Sequence, residues 1–424
     1  MAFEEESLTS FRFVHAADLH LDSPLIGLAC KSPEFAKRVE TASRQAFDNL
    51  VRLAIEERCR FVVLAGDVFD RELRNYQAGL HFLAGMKRLG DAGIDVFLVF
   101  GNHDAGNKFA DKLPFANNVH VFSKKHAQSK MLEDVGVAVH GRSFPRWDVD
   151  ENIARDYLVP VPGAFNIGVL HTACAGSEGA HARYAPCSLE QLVNHGYDYW
   201  ALGHVHGFSV LHVVPYIVYS GNLQGRDPRE TGAKGAVLVT VEDGTVASVE
   251  HCPLDVIRWA QVMVDVTPWV DRDEMVEAIR EELRVSLAES GDRPVALRLG
   301  VTGKTVLHSE LLLKRAAISE EIEALLVTLD QEVWLEKFVV ATELPPAREV
   351  VDPTVAGRLD TEIFRLAANG YVTAKLQARL VEIRTKLPAG AYADDFIKRM
   401  EIEIGGRATD LARGLINEAD YAAD

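Results

Sequence analysis

Short runs of β-branched and aromatic residues recur through the first 255 or so positions: Phe11–Ala16, Phe61–Ala65, Val96–Phe100, Ile167–Leu170, Tyr199–Leu202, Tyr216–Tyr219 and Ala236–Val241. Each is too short for a buried helix and nearly continuous in apolar residues, as a strand covered on both faces must be. Between the early runs lie two amphipathic stretches. Phe35–Glu57 carries Val39, Phe47, Leu50, Val51 and Leu53, and Tyr76–Leu89 carries Leu80, Phe82, Leu83 and Met86. Each reads as a helix laid on a sheet; a dimer contact is the other reading. Strand and helix patterns in alternation restrict this part to a layered α/β fold.

The residues just after five of these runs carry the chemistry. Phe11–Ala16 leads into Ala17-Asp18-Leu19-His20, and Phe61–Ala65 into Gly66-Asp67-Val68-Phe69-Asp70. Val96–Phe100 leads into Gly101-Asn102-His103-Asp104, Ile167–Leu170 ends at His171, and Tyr199–Leu202 leads into Gly203-His204-Val205-His206. Ligands of open α/β sheets bind beyond the carboxyl ends of the strands, so five polar clusters at such ends converge. Carboxylate and amide oxygens with imidazole nitrogens, and no thiolate, suit hard-to-borderline divalent metals. In extended backbone the partners of Asp18-x-His20 and of His204-x-His206 project to one side. Gly66, Gly101 and Gly203 stand just before the polar residues, where the chain turns sharply or meets another loop closely. A single Asp-x-His, or one histidine after a strand, more often marks an ordinary hydrogen-bonded residue. All five in this order do not.

Beyond residue 255 the pattern changes. Gln261–Thr267 and Pro294–Val301 read as strands around a helix at Arg272–Ser286, a small α+β unit. Pro345, Pro346 and Pro353 mark a linker, and from Val355 the spacing of Leu359, Ile363, Leu366, Leu376, Leu380 and Ile383 is helical. The expected division is 1–255, 256–345 and 346–424. No apolar run nears the roughly 20 residues that span a bilayer, and the acidic start, Met1-Ala2-Phe3-Glu4-Glu5-Glu6, does not read as a secretory leader. Cys30, Cys59, Cys174, Cys187 and Cys252 form no regular framework, which points to reduced thiols and the cytoplasm. The net charge is −17, with 24 basic and 32 acidic residues through position 255 and 21 and 30 beyond it. Neither part is a basic nucleic-acid module. A DNA-directed role requires bound cations, a partner or a local basic stripe.

The order DxH, GD, GNHD, H, GHxH resembles that of the calcineurin-like metallophosphoesterases. A closer resemblance is to the SbcD-like DNA repair exonucleases and, among them, the YhaO type. It rests on His15-Ala16-Ala17-Asp18-Leu19-His20-Leu21-Asp22-Ser23-Pro24, Tyr199-Trp200-Ala201-Leu202-Gly203-His204-Val205-His206, Ser220-Gly221-Asn222-Leu223-Gln224-Gly225-Arg226 and Arg229-Glu230-Thr231-Gly232-Ala233-Lys234-Gly235. The resemblance implies a layered α/β/β/α metallophosphoesterase sandwich with a small α+β capping domain that guides DNA, and a C-terminal helical segment. It implies two divalent metal ions, with Mn²⁺ expected. Asp67 would bridge them; Asp18, His20 and His206 would hold one, and Asn102, His171 and His204 the other. Such a pair, about 4 Å apart, activates water and clamps the attacking and leaving oxygens. His103 would contact the phosphate and stabilise or protonate the leaving group, with Asp70 orienting it.

The implied activity is a DNA exonuclease, with endonuclease activity as an extension, in a homodimer joined through the helices near 36–58 and 76–89. The implied partners are DNA and an SMC-like coiled-coil ATPase, SbcC-like or YhaN-like, docked on the helical segment from Val355; no membrane is involved. The alternatives are a phosphatase or small-nucleotide phosphodiesterase with the same ligands, and a metal-holding binding module, against which the intact ligand set and His103 argue. From the residues alone, Asp70 reads equally as a loop carboxylate in an Asx-turn. His15, His140 and His195 read as strand-side or turn residues, Cys174 as a small loop residue, Asp22 as a support for the His20 loop or a turn, and Arg71 as a solvated side chain. Arg226, Arg229 and Lys234 form a basic cluster, either a contact for a nucleic-acid backbone or a solvated loop.

Overall fold

The computed structural model describes residues 10–23, 33–70, 76–107, 110–174, 184–345 and 371–384, together with Glu362, Arg365, Ile397 and Met400. Pro24, Cys30, Arg71, Pro346, Pro353 and most of the helical pattern from Val355 lie outside them. The chain divides into two compact units, Met1–Ala260 with Ser290–Ala296, and Gln261–Glu289 with the residues from Leu297 onward.

The first unit holds two six-stranded sheets. In the first sheet, β1 (Phe11–Ala16), β2 (Phe61–Ala65), β3 (Asp95–Val99) and β4 (Val119–Val121) run parallel, and β11 (Gly235–Glu242) and β12 (Thr245–Pro253) continue it antiparallel beside β1. In the second, β6 (Val137–Gly141), β7 (Phe165–His171), β8 (Tyr199–Gly203) and β10 (Tyr216–Tyr219) run parallel between antiparallel edges, β5 (Gln128–Leu132) and β9 (Ser209–Val213). Phe13, Phe61, Val63, Phe97, Val139, Ile167, Val169 and Tyr199 fill the space between the sheets and are buried. Helices α1 (Pro33–Glu56) and α2 (Tyr76–Asp91) cover the outer face of the first sheet, with Phe47, Leu50, Val51, Phe82, Met86 and Leu89 turned inward. Burying side chains of this size contributes roughly 1.5–3 kcal/mol each. On the outer face of the second sheet, Trp200, Leu202, Tyr157, Ile153 and Leu192 pack together beside the short helix Leu189–Val193. The result is the layered α/β/β/α sandwich, in which parallel strands bring their carboxyl ends to one edge.

β13 (Arg258–Asp265), β14 (Val295–Lys304) and β15 (Val333–Glu343), most of whose residues belong to the second unit, form a three-stranded sheet in that order. The helix Arg272–Leu287 buries Met275, Ile279, Leu283 and Leu287, one residue per turn, and Asp271 caps it by accepting hydrogen bonds from the amides of Asp273 and Glu274. Arg298 and Glu336 pair through two hydrogen bonds, 2.7 and 2.8 Å, between strands of this sheet. A further helix spans Tyr371–Arg384. No described helix is long and apolar enough to cross a membrane.

Candidate metal centre

The five polar clusters meet where the carboxyl ends of β1, β2, β3, β7 and β8 come together. The loops after β1 and β2 are laced by backbone hydrogen bonds: the amides of Asp18, His20 and Leu21 donate to the carbonyls of Gly66, Asp67 and Val68 at 2.9, 3.0 and 3.0 Å. Asp104, buried, ties the loops after β2 and β3 by accepting from the amides of Val68, Phe69 and Gly101 at 3.2, 2.9 and 3.1 Å. The second sheet joins through His171, whose Nδ1 lies 2.9 Å from the Ala65 carbonyl. Two glycines permit the approach. A Cβ at Gly203 would stand 2.0 Å from the Ala65 carbonyl oxygen, and one at Gly101 2.3 Å from Asp67 Oδ1.

Asp18, His20, Asp67 and His204 have φ of 52°, 42°, 52° and 101°. The expectation of extended backbone at Asp18-x-His20 and His204-x-His206 is thereby corrected: the chain coils through the left-handed region and aims these side chains one by one. Non-glycine residues enter that region at a cost of order 1–3 kcal/mol, and such strain concentrates at functional sites.

All seven residues expected as ligands are brought to this edge. His206 Nε2 lies 4.0 Å from Asp18 Oδ1, and the ring centroids of His20 and His206 are 5.2 Å apart. Asp67 Oδ2 lies 3.4 Å from His171 Nε2 and 3.9 Å from His20 Nε2, so it faces both groups. His171 Nε2 is 2.9 Å from Asn102 Oδ1, and the rings of His171 and His204 are 5.2 Å apart. The backbone amide of His204 donates to Asp18 Oδ2 at 2.9 Å. Among the described residues, candidate ligand atoms within 4.8 Å of one another come in three overlapping sets: Asp18, His20 and His206; His20, Asp67 and His103; Asp18, Asp67 and His171.

The donor set fits cations. Asp18 Oδ1 and His20 Nε2 are buried and have no hydrogen-bond partner, a costly arrangement unless something positive sits against them. Three imidazoles have their Nδ1 against an oxygen: His20 against Asp70 Oδ1 at 2.8 Å, His206 against Glu230 Oε1 at 2.7 Å and His171 against the Ala65 carbonyl. An Nδ1–H donated to such an oxygen leaves Nε2 with its lone pair, the tautomer a metal needs.

Charge has the same focus. Burial raises the pKa of Asp18 above the ordinary carboxylate range. Burial would raise Asp67 too, but the imidazoles of His171, His103 and His20 outweigh it and hold that carboxyl well below the usual range. For His171 burial works downward, yet the carboxylates of Asp67 and Asp18 push the ring up to about 9. Burial takes His20 down to about 3, and takes Asp104 up to about 7 with help from the Asp67 charge.

His103 and Asp70 lie at the more open side. His103 is 26% exposed at its side chain, and its Nδ1 is 3.1 Å from Asp70 Oδ1. The same Asp70 oxygen contacts His20, and Arg226 Nη1 lies 3.2 Å from it and 3.1 Å from Ser23 Oγ. Burial opposes protonation of His103, but the carboxylates of Asp70 and Asp67 prevail and raise its pKa.

The other candidates settle elsewhere. His15 is buried between the Tyr199 hydroxyl and the Leu202 carbonyl, His140 between Ser129 and Asn166, and His195 meets the Leu158 carbonyl. Asp22 pairs with Arg44. Cys174 and Cys187, both buried and outside any disulfide, pair through the backbone in an isolated parallel β-bridge. The basic cluster is no stripe: Lys234 is buried and donates to the His206 carbonyl, Arg229 pairs with Asp227, and only Arg226 reaches the site. Asp104 and Glu230 are site residues that the sequence named without a role. Apart from the nearby Gly101 amide, the partners that place them in the site are the amides of Val68 and Phe69 and the ring of His206, all more than twenty residues away. An acid closing Gly-Asn-His-Asp was the one available signal for Asp104.

The calcineurin-like phosphoesterase family matches residues 11–208, and the middle domain of the metallophosphoesterase YhaO matches residues 259–343. YhaO of Bacillus subtilis, itself an uncharacterized metallophosphoesterase, is 35% identical over 336 residues, 78% of this chain and 80% of its own. The chain belongs to the YhaO-type calcineurin-like metallophosphoesterases. Members of this superfamily bind divalent metal ions, and the chain is a metal-dependent phosphoesterase, a hydrolase. More distant is the DNA double-strand break repair protein Mre11 of Thermoplasma acidophilum, 22% identical over 68% of this chain and 76% of its own. Among solved structures, a dimetal phosphatase from Danio rerio aligns with 58% of this chain and 100% of its own at 12% identity and a TM-score of 0.36, a likeness too slight to bear on the chemistry.

Proposed function

We infer that this metallophosphoesterase is a two-metal DNA nuclease, an exonuclease able to extend to endonucleolytic cuts. The observation that carries the reading is Asp67: one buried carboxylate faces His20 on one side and His171 on the other, with His103 at the open side. Asp18, His20 and His206 would hold one cation and Asn102, His171 and His204 the other, with Asp67 placed to serve both; Mn²⁺ would suit these oxygen and imidazole donors. When bound, the pair polarises the phosphoryl oxygens and lowers the pKa of water. The remaining work falls to the chain. Asp70 favours the protonated form of the half-open His103, which can then give its proton to the departing oxygen. Glu230 fixes the ring of His206, as Asp70 does that of His20.

DNA as substrate is supported by the similarity to Mre11 and by the YhaO middle domain matched at 259–343, which a small-molecule phosphatase would not require. We assign residues 256–345 to capping and DNA guiding, and residues 346–424 to docking of an SMC-like ATPase; on the latter, Val381 and Ile383 of the helix Tyr371–Arg384 are exposed. Exposed Tyr76 and Leu80 on α2 support a homodimer through the helices near 36–58 and 76–89. The described cysteines Cys59, Cys174, Cys187 and Cys252 stand outside any disulfide, in keeping with the cytoplasm. The protein with added Mn²⁺ is expected to degrade end-labelled DNA in a panel that also holds cyclic dinucleotides, a phosphomonoester and a chromogenic phosphodiester. Turnover of the small nucleotides with DNA left intact would refute the nuclease reading.

A further inference from the structure

Aromatic rings form a rim beside the metal centre. Trp147, in the loop after β6, has its ring centroid 4.7 Å from that of His103, at 69°. Tyr184 comes next, 5.9 Å from Trp147 at 67°, and its ring is 5.6 Å from that of His204 at 79°. The circuit His103–Trp147–Tyr184–His204 therefore runs from the imidazole at the open side to one of the buried histidines of the centre. Trp147 and Tyr184 are half-buried. Trp200 and Trp259, by contrast, are fully buried core residues with their indole N–H groups spent on the carbonyls of Leu192 and Gly225.

Large rings partly open to solvent beside a phosphate-handling centre offer a flat apolar surface and a quadrupole at low entropic cost. Any nucleobase presents a π face to such a surface, but only an unpaired base can leave its own stack to use it. We propose that Trp147 and Tyr184 form a stacking surface for the unpaired nucleobase borne by the nucleotide whose phosphate is cleaved, so that the site takes single-stranded DNA. The inference rests on the nuclease reading above and supplies its substrate form. Arg226, next to Asp70, lies beside the same centre as a counter-charge for the DNA backbone.

The test uses the full-length protein with Ca²⁺ in place of Mn²⁺, which holds cleavage down, and fluorescence anisotropy of end-labelled oligothymidylate. A strand of equal length with abasic residues is the control. The wild type is expected to bind the base-bearing strand roughly 10-fold more tightly than the abasic one. Trp147→Ala and Tyr184→Ala should each erase most of that preference while leaving abasic binding unchanged, and Trp147→Phe, which keeps a ring, should retain it. Quenching of tryptophan emission by the base-bearing strand should shrink in Trp147→Phe. Equal wild-type affinity for the two strands, or a preference intact in both alanine variants, overturns the stacking surface. A separate Mn²⁺ arm asks only whether the wild type cleaves DNA; failure there with the base preference present would count against the nuclease reading and leave the stacking surface standing.

Discussion

Asp67→Asn is expected to abolish activity and to empty at least one cation position. The wild-type carboxylate is buried, its Oδ1 accepts the His103 amide at 2.8 Å, and its Oδ2 faces His20 and His171. Asparagine keeps the shape but loses the charge and replaces one acceptor oxygen with an NH₂ group that repels a cation. Loss of an outer partner of a metal ligand costs 10–100-fold, so loss of a carboxylate that both proposed positions would share should exceed roughly 1,000-fold in turnover. Elemental analysis of the dialysed protein should fall from two metals per chain to one or none, with circular dichroism unchanged. Two metals and near-normal turnover in this variant would show that Asp67 bridges nothing.

His103→Ala should separate metal binding from catalysis. His103 sits at the open side with Asp70 against its Nδ1, and both Asp70 and Asp67 favour its charged form. Removing it should leave the metal content intact and lower cleavage of DNA by about 100-fold or more, the scale of a positioned general acid. The loss should be much smaller for a chromogenic phosphodiester, whose nitrophenolate departs without a proton. An equal fall on both substrates would mean that His103 holds the phosphate or the metals and transfers no proton.

The sandwich was legible at most strands buried on both faces; β6 is the exception, fully buried yet not read as a strand, its Val-Ala-Val-His-Gly too mixed to stand out. The boundaries of Phe11–Ala16, Phe61–Ala65 and Tyr216–Tyr219 coincide with the strands observed. The edges were not: β5, β9 and β12 are half-exposed, and β4 has three residues, so none shows a continuous apolar run. β15, with eleven residues of mixed burial around charged Glu336 and Lys337, likewise showed no such run. Convergence of the five clusters followed from parallel pairing, since one edge then collects every carboxyl end. How each side chain is aimed did not follow. The left-handed turns at Asp18, His20, Asp67 and His204 are held by hydrogen bonds from other loops, and no local pattern encodes them. Glu230 reaches His206, and Asp104 reaches the Val68 and Phe69 amides, across more than twenty residues. Trp147 and Tyr184 stand outside every motif.

Crystals of the protein grown with Mn²⁺ and measured at the manganese absorption edge would test the two-metal centre itself. Two anomalous peaks, one on either side of the Asp67 carboxylate and within bonding reach of His20 and His171 respectively, are the expected result. A single peak, or peaks lying away from Asp67, would show that these side chains gather at the sheet edge for some purpose other than holding a pair of cations.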